Sequence, residues 1–284
     1  MRKHRDSWRL VARTFGRFLL YVLLIGMGLV YTFPFLWMLS TSLKAPGHIY
    51  VNPPEWFPNP VYFANYSETW TKFPFGSFVK NTLIITFFAT IGYLLSSTMA
   101  AFAFSRMHFK GRNLYFALLL STMMLPSQVT LIPQFILFKN LGWLNTFLPL
   151  IVPAFTGSAF YIFLLRQFFM TLPVALDEAA LIDGATPPRV LWSVLLPLAK
   201  PALATVTVFS FIYNWNDFFA PLIYLTGQKK MTLAVGLQLF RGQYDTDYAH
   251  MMAGSMVAIL PILVVFFIAQ DLFVQSIALT GMKG

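Results

Sequence analysis

Cysteine is absent from this 284-residue chain. Neither disulfides nor thiolate metal sites are therefore available to it. Charge is the second scarcity: 11% of residues are Asp, Glu, Lys or Arg, against about 25% in an ordinary soluble domain. Acids are the rarer half, 10 Asp and Glu against 20 Lys and Arg, for a net charge of +10. The four histidines, His4, His48, His108 and His250, are scattered without ligand spacing. No nucleophile–base pair stands out, so no catalytic residue and no metal site are expected. No GxxxxGK[ST] string occurs, which argues against nucleotide binding of the P-loop kind. Nor is there an internal repeat, a low-complexity segment or the period-two alternation of a barrel strand.

What the chain has in quantity is apolar surface. Hydrophobic residues make up 57% and aromatics 18%. The expectation is an all-α integral membrane protein with a single transmembrane domain over 1–284. A spanning helix needs about 20 mostly apolar residues. Charge-free runs cover 18–43, 81–105, 113–138 and 140–165. A fifth run, 201–225, is interrupted by Asp217, and a sixth, 251–275, carries Asp271 near its end. Six helices is the simplest count. The basic start, Arg2 to Arg17, resembles a signal peptide, but the run after it is much longer than the roughly 7–15 residue core of a cleavable one. It reads as a retained first span.

In such a chain the positive charge reports topology and not nucleic acid, because basic residues collect on the cytoplasmic side. With the N-terminus inside, Arg2, Lys3, Arg5, Arg9, Arg13, Arg17, Arg106, Lys110, Arg112, Arg166, Arg189, Lys200 and Lys283 are cytoplasmic. That is 13 of the 20 basic residues. Both termini and the loop 171–200 then lie inside, and 44–80 lies outside. The outer loop combines Pro53, Pro54, Pro58 and Pro60 with Trp56, Tyr62, Phe63, Tyr66 and Trp70. It reads either as an interfacial aromatic belt on a stiff connector or as a landing surface for an extracytoplasmic partner.

Polar residues inside spans are costly, so each is a candidate. Asp217 has Asn214, Trp215 and Asn216 beside it. The cluster is a candidate lining of a solute path or outer gate, or a carboxylate bonded to a neighbouring helix. Gln128 and Gln134 flank Pro126 and Pro133 in the third span, where kinks are expected. Their amides suit either a polar pathway or helix–helix bonds.

The loop 171–200 is the most informative segment. Pro173 suits the first turn of a helix, and Val174 to Ile182 gives about two turns. Leu176, Ala179 and Ala180 share one small apolar face, while Asp177, Glu178 and Asp183 supply charge. Gly184 is a natural stop, because glycine accepts the left-handed conformation. Thr186 and Pro187 read as cap and first residue of a second helix. That helix carries Val190, Leu191, Val194 and Leu195 and ends before Pro197. Helices that lie on membranes favour Lys and Arg on their polar face. An acidic face favours a protein partner.

The string Glu178-Ala179-Ala180, then Asp183-Gly184-Ala185, then Pro197, resembles the EAA loop of ABC importer permeases. The fuller segments Leu172-Pro173, Leu176 to Ala185 and Leu196 to Leu203 are similar to the sugar-transporting subfamily. Trp215-Asn216-Asp217-Phe218, Pro221-Leu222, Thr232 to Leu237 and the terminal Lys283-Gly284 extend the likeness over nearly the whole chain. The chain resembles the maltose-type second permease subunit. The resemblance implies a MetI-like fold of six spans with a cytoplasmic coupling helix pair. It implies a transport subunit, not an enzyme, in a prokaryotic inner membrane. The implied partners are a second homologous permease in a heterodimer, two ATPase subunits that hold ATP and Mg, an extracytoplasmic solute-binding protein, a sugar substrate and the bilayer. No cofactor is implied for this chain. Asp177, Glu178, Ala179, Ala180, Asp183, Gly184, Ala185 and Pro197 would couple to the ATPases. Asn214, Trp215, Asn216 and Asp217 would line the path, where Trp215 suits the apolar face of a sugar ring. Lys283 and Gly284 would contact the ATPases through the C-terminal tail, although Ser276 to Gly281 departs from the family's Gly-rich run. A permease for a non-sugar solute stays open on the residues alone. A secondary transporter would call for inverted repeats with paired broken helices, which the sequence lacks.

The topology is checked by a single cysteine at Ala185, which introduces the chain's first thiol. An impermeant maleimide added outside intact cells is expected to leave it unlabelled. Labelling without permeabilisation refutes the orientation.

Overall fold

The computed structural model describes residues 2–242 and 245–281, and these are helical with irregular connections. They fall into two compact units, residues 1–69 with 240–256 and residues 70–239 with 257–284.

In the first unit, α1 (Arg2–Ser42) is one long helix; its residues from Thr14 to Leu36 are exposed, and its last turn, with Thr41 and Ser42, is buried. Such a helix suits hydrocarbon, since it satisfies its own backbone. The proline-rich connector folds back onto the end of α1. Tyr62 N–H donates to Leu43 O at 2.9 Å, and Asn65 Nδ2 donates to Ser42 O and Lys44 O at 2.9 and 2.8 Å. Asn65 opens α2 (Ala64–Lys72). The Lys44 ammonium lies 4.4 Å from the Trp37 ring centre, and burial pushes its pKa down. His250 sits between two carboxylates, Asp247 at 2.7 Å and Glu68 at 3.0 Å. The Tyr62 hydroxyl donates to Glu68 at 2.9 Å and, with His250, holds that carboxyl below its usual range. The histidines read as scattered along the sequence; here one of them is a structural tie. The connector's stiffness comes from these bonds as well as from its prolines.

The second unit is built on α3 (Phe75–Arg106), which carries no proline. Its buried face is rich in small and hydroxyl residues, among them Thr82, Thr86, Ala89, Gly92, Ser97 and Ala101. Small residues let helices approach in lipid, where packing rather than water exclusion drives association. A Cβ on Gly92 would come within 2.8 Å of Phe155. Against α3 pack α7 (Ala159–Thr171) and α11 (Lys200–Trp215), which share a core of Phe102, Ile162, Leu165, Phe169, Ala202 and Val206.

Among the described residues four helical segments are long and apolar enough to span a membrane, and six if each of two bent pairs counts as one. Their limits differ from the charge-free runs. The third run breaks between α4 (Arg112–Ser121), extended to Met124 by a 3₁₀ turn, and α5 (Ser127–Asn140), at 101°. Pro126 forces this, because the residue before a proline is driven out of the helical region, and Leu125 is extended with ψ 118°. The fourth does not start at 140. Gly142 and Asn145 take positive φ in a turn, so helix begins at α6 (Leu148–Ile151) and continues through a 3₁₀ segment to α7. The second bent pair joins Pro187–Leu198 to α11 at 83°, and a break at Asn216–Phe218 separates α11 from α12 (Phe219–Tyr224). The last, α14 (Tyr248–Gly281), bears Pro261 inside.

The N-terminal end of α3 holds the segment after α12. Asn81 Nδ2 donates to Lys229 O and Met231 O at 2.9 and 3.0 Å. Thr82 Oγ1 accepts the Leu233 N–H at 2.8 Å, which caps α13 (Leu233–Gly236). Gly236 presses on fully buried Phe78 so closely that a Cβ has no room. Overpacking of this kind costs about 1–3 kcal/mol. Gly236→Ala is therefore expected to lower the melting temperature of the detergent-purified protein, while Ala234→Gly does so less. Equal melting of Gly236→Ala and the parent contradicts the packing described.

Candidate functional site

The loop after α7 forms two helical pieces. α8 (Ala175–Ile182) is followed by α9 (Pro187–Val190), a π turn over Leu191–Leu195, and α10 (Leu196–Leu198). The second piece runs through Pro197, not up to it. In a regular α-helix the Pro197 ring would meet the Ser193 carbonyl; the wider π turn relieves that clash. The helix then turns by 83° at Ala199 into α11. Val190, Leu191 and Leu195 are buried in the shared core, as helical spacing predicts, with Val194 half-buried.

Two residues cap α8. Gly184 has φ +80°, its N–H reaches Leu181 O at 3.0 Å, and the Ala185 N–H reaches Ala180 O at 2.9 Å. This pair of bonds is the Schellman motif, with glycine at the left-handed position. Ala180 and Ala185, which close it, both pack on the core. The motif therefore fixes the angle at which α8 leaves the membrane domain.

Glu178, Ala179, Asp183, Gly184 and Pro197 are exposed. So are Leu181 and Ile182, the latter 85% accessible. Sequence reading places Asp177 with the charges of this outer face, yet the structure turns it inward. It is buried and paired with Arg106 at 2.8 Å between Nε and Oδ2. Burial pushes its carboxyl above the usual range, and Arg106 pulls it back. Arg106 also donates from Nη2 to Leu172 O at 2.9 Å, beyond the last residue of α7. From sequence Arg106 counts only as a topology charge; its position at the end of a span was the available signal. Arg166, another such charge, donates to Phe104 O at 3.2 Å and stacks on Phe116 at 4.1 Å.

The polar cluster at the end of α11 divides. Trp215 is buried, its indole N–H donates to Ala258 O at 2.9 Å, and its ring stacks on Phe211 at 5.4 Å. It packs against α14, and no face of it is open to a solute in this chain. Asn214 Nδ2 returns to Ser210 O at 2.6 Å and Asn216 Nδ2 to Ile212 O at 2.9 Å. Asp217 Oδ1 accepts the Ala220 N–H at 3.3 Å, in the first turn of α12. Asn216 is exposed, and Asn214 and Asp217 are half-buried. Lys283 and Gly284 lie outside the described residues, as does the side chain of Asp271. Among the described residues there is no group of three acids or histidines fit for a metal.

A helical, multi-span membrane subunit with a short, glycine-capped loop of two helical pieces is the architecture of an importer permease. The chain belongs to the binding-protein-dependent transport system inner membrane component family, which it matches over residues 92–279. It is 33% identical over 262 residues to the diacetylchitobiose uptake system permease protein NgcG of Streptomyces coelicolor, covering 91% of this chain and 86% of that one. It is 31% identical over 279 residues to the melibiose/raffinose/stachyose import permease protein MelC of Bacillus subtilis, covering 96% and 99%. A chain of a bacterial ABC transporter involved in the import of the acidic polysaccharide alginate superposes with a TM-score of 0.81 at 26% identity, covering 92% and 97%. The chain is thus an inner-membrane permease of an ABC importer, and the MetI-like six-span class expected from the sequence holds.

Glycine at 184 is a conformational requirement, because the left-handed region costs other residues roughly 1–2 kcal/mol. Gly184→Val is expected to lower the thermal stability of the purified protein, and Gly184→Asn to do so less, since asparagine visits that region more readily. Equal stability of the valine variant would show that the cap does not constrain α8.

Proposed function

We propose that this subunit forms half of the translocation path of an ATP-driven carbohydrate importer. A second, homologous permease supplies the other half. Two cytoplasmic ATPase subunits hold ATP and Mg and seat on the loop from α8 to α10. A solute-binding protein delivers its cargo from outside, and both termini face the cytoplasm. The observation that carries this reading is the exposed surface of α8: Glu178 and the apolar Leu181 and Ile182, on a helix whose exit angle is fixed by its cap. Acid beside exposed apolar side chains suits a protein partner better than an anionic membrane. A sugar as cargo is supported by the relatives named for diacetylchitobiose and raffinose-type oligosaccharides.

The mechanism is a rigid-body switch of the usual kind. Closure of the ATPase pair moves the loop, and the spans exchange an inward-open for an outward-open state. This chain contributes binding surface, stiffness and the walls of the path, while bond-breaking belongs to the partners. Asn216 and Asp217, partly open at the break between α11 and α12, are the groups of the sequence-derived cluster still able to meet a passing solute. Trp215 serves that cluster by fixing α11 against α14.

The test is Glu178→Lys in the purified, reconstituted importer. Truncating one member of a buried interfacial charge pair costs about 2–5 kcal/mol, so reversal should remove the ATPase subunits on purification. In the parent complex, binding protein loaded with a neutral oligosaccharide should stimulate ATP hydrolysis, and the same protein offered an amino acid should not. Retained ATPase subunits in Glu178→Lys refute the docking surface, and stimulation by the amino acid refutes the carbohydrate assignment.

A further inference from the structure

Arg106 occupies an unusual place. It is the last residue of α3, it donates to Leu172 O beyond α7, and it is ion-paired with Asp177 of α8. Both side chains are largely buried, 9% and 11% accessible. Asp177 Oδ1 and Arg106 Nε are both buried without a hydrogen-bond partner, so the 2.8 Å ion pair is what holds this carboxylate. Stability does not explain such a pair. Two charges taken out of water lose about as much in solvation as they regain from each other, and a packed apolar pair often does as well. What an ion pair supplies is attachment between two particular groups. Apolar contacts are non-directional and can slide, whereas pulling apart two buried opposite charges is strongly opposed.

The helix on which Arg106 sits is also singular. Of the four span-length segments among the described residues, α3 alone lacks an internal proline: Pro34, Pro149, Pro153 and Pro261 lie in the others. Its far end carries Asn81 and Thr82, which grip the outer segment from Lys229 to Leu233 through three hydrogen bonds. Asn81 and Arg106 are separated by about 38 Å at the helical rise of ~1.5 Å per residue. One stiff helix therefore joins a polar clamp on the ATPase-coupling loop to a polar clamp on the outer segment.

We propose that the Arg106–Asp177 pair is the link through which movement of the coupling loop enters the membrane domain, and that α3 carries it to the segment 229–236. This rests on the coupling role assigned to α8 above. Arg106 and Asp177 are positioning residues here, and Glu178 remains the docking contact.

The test needs no knowledge of the solute. The complete importer carries a single cysteine at exposed Gln228, and its labelling by fluorescein maleimide is followed on this subunit with and without ATP and vanadate. In the parent, nucleotide trapping is expected to change the labelling rate at least about fivefold, the lower end of ordinary coupling energies. In Asp177→Asn the ATPase subunits should stay bound while the change in labelling disappears. A nucleotide-dependent change that persists in Asp177→Asn overturns the link, and a parent whose labelling ignores nucleotide overturns the role of α3. Loss of the ATPase subunits from Asp177→Asn also overturns it, by making Asp177 a docking contact. If Asp177→Asn does not assemble, Arg106→Met with Asp177→Leu replaces it. That variant removes both buried charges, and parental labelling behaviour in it overturns the proposal. Glu178→Lys in the same preparation separates the two ideas: if it retains the ATPases, the docking assignment fails, whatever Asp177→Asn does.

Discussion

A backbone that crosses hydrocarbon has no water to turn to, so every break in a helix needs a substitute partner. The polar residues of this chain are spent largely on that. The Ser96 hydroxyl lies 2.9 Å from Ala154 O, where the fourth span is irregular. Asn145 accepts the Thr226 N–H at 3.2 Å and donates its own N–H to Tyr224 O at 2.8 Å, where α12 ends. Thr82 caps α13, and Asp217 accepts an N–H in the first turn of α12. Irregular backbone is thus tolerated because neighbouring side chains replace the missing helical bonds.

The same constraint separates what was legible in the sequence from what was not. The number of apolar runs could be read because length and charge are local properties. Gly184 could be read for the same reason, since a left-handed cap is written in one residue. Trp215 could not. An aromatic beside Asn216 and Asp217 suggests a sugar-facing wall, and only the placement of α14 shows that its indole serves the Ala258 carbonyl. Asp177 is the parallel case on the loop. Its spacing places it one residue from Glu178, but a helix turns by about 100° per residue, so neighbours face different ways. Without knowing which face meets the core, no pattern distinguishes the buried acid from the exposed one.

Arg106 shows a further limit. Basic residues at the ends of spans are expected for topology alone, and that sufficient reason hides any second role. Its partner is far away in sequence, in a loop whose acids read as solvent-facing. His250 is similar: between Asp247 and Glu68 it ties α2 to the start of α14, and nothing in the spacing of four histidines announces it.

The uncovered surface of α1 bears on how the protein is made. Because its residues from Thr14 to Leu36 are exposed within the chain, that stretch needs only its own backbone bonds to sit in hydrocarbon. That stretch can therefore enter the bilayer without waiting for the other helices to pack against it. The later helices lack that independence. α3 exposes a face of hydroxyls and small residues that is satisfied only when α7, α11 and the 229–236 segment arrive, so α3 must be sheltered until more than a hundred further residues have been translated. α1 can thus sit in the bilayer before the other helices have packed, as a tether during assembly.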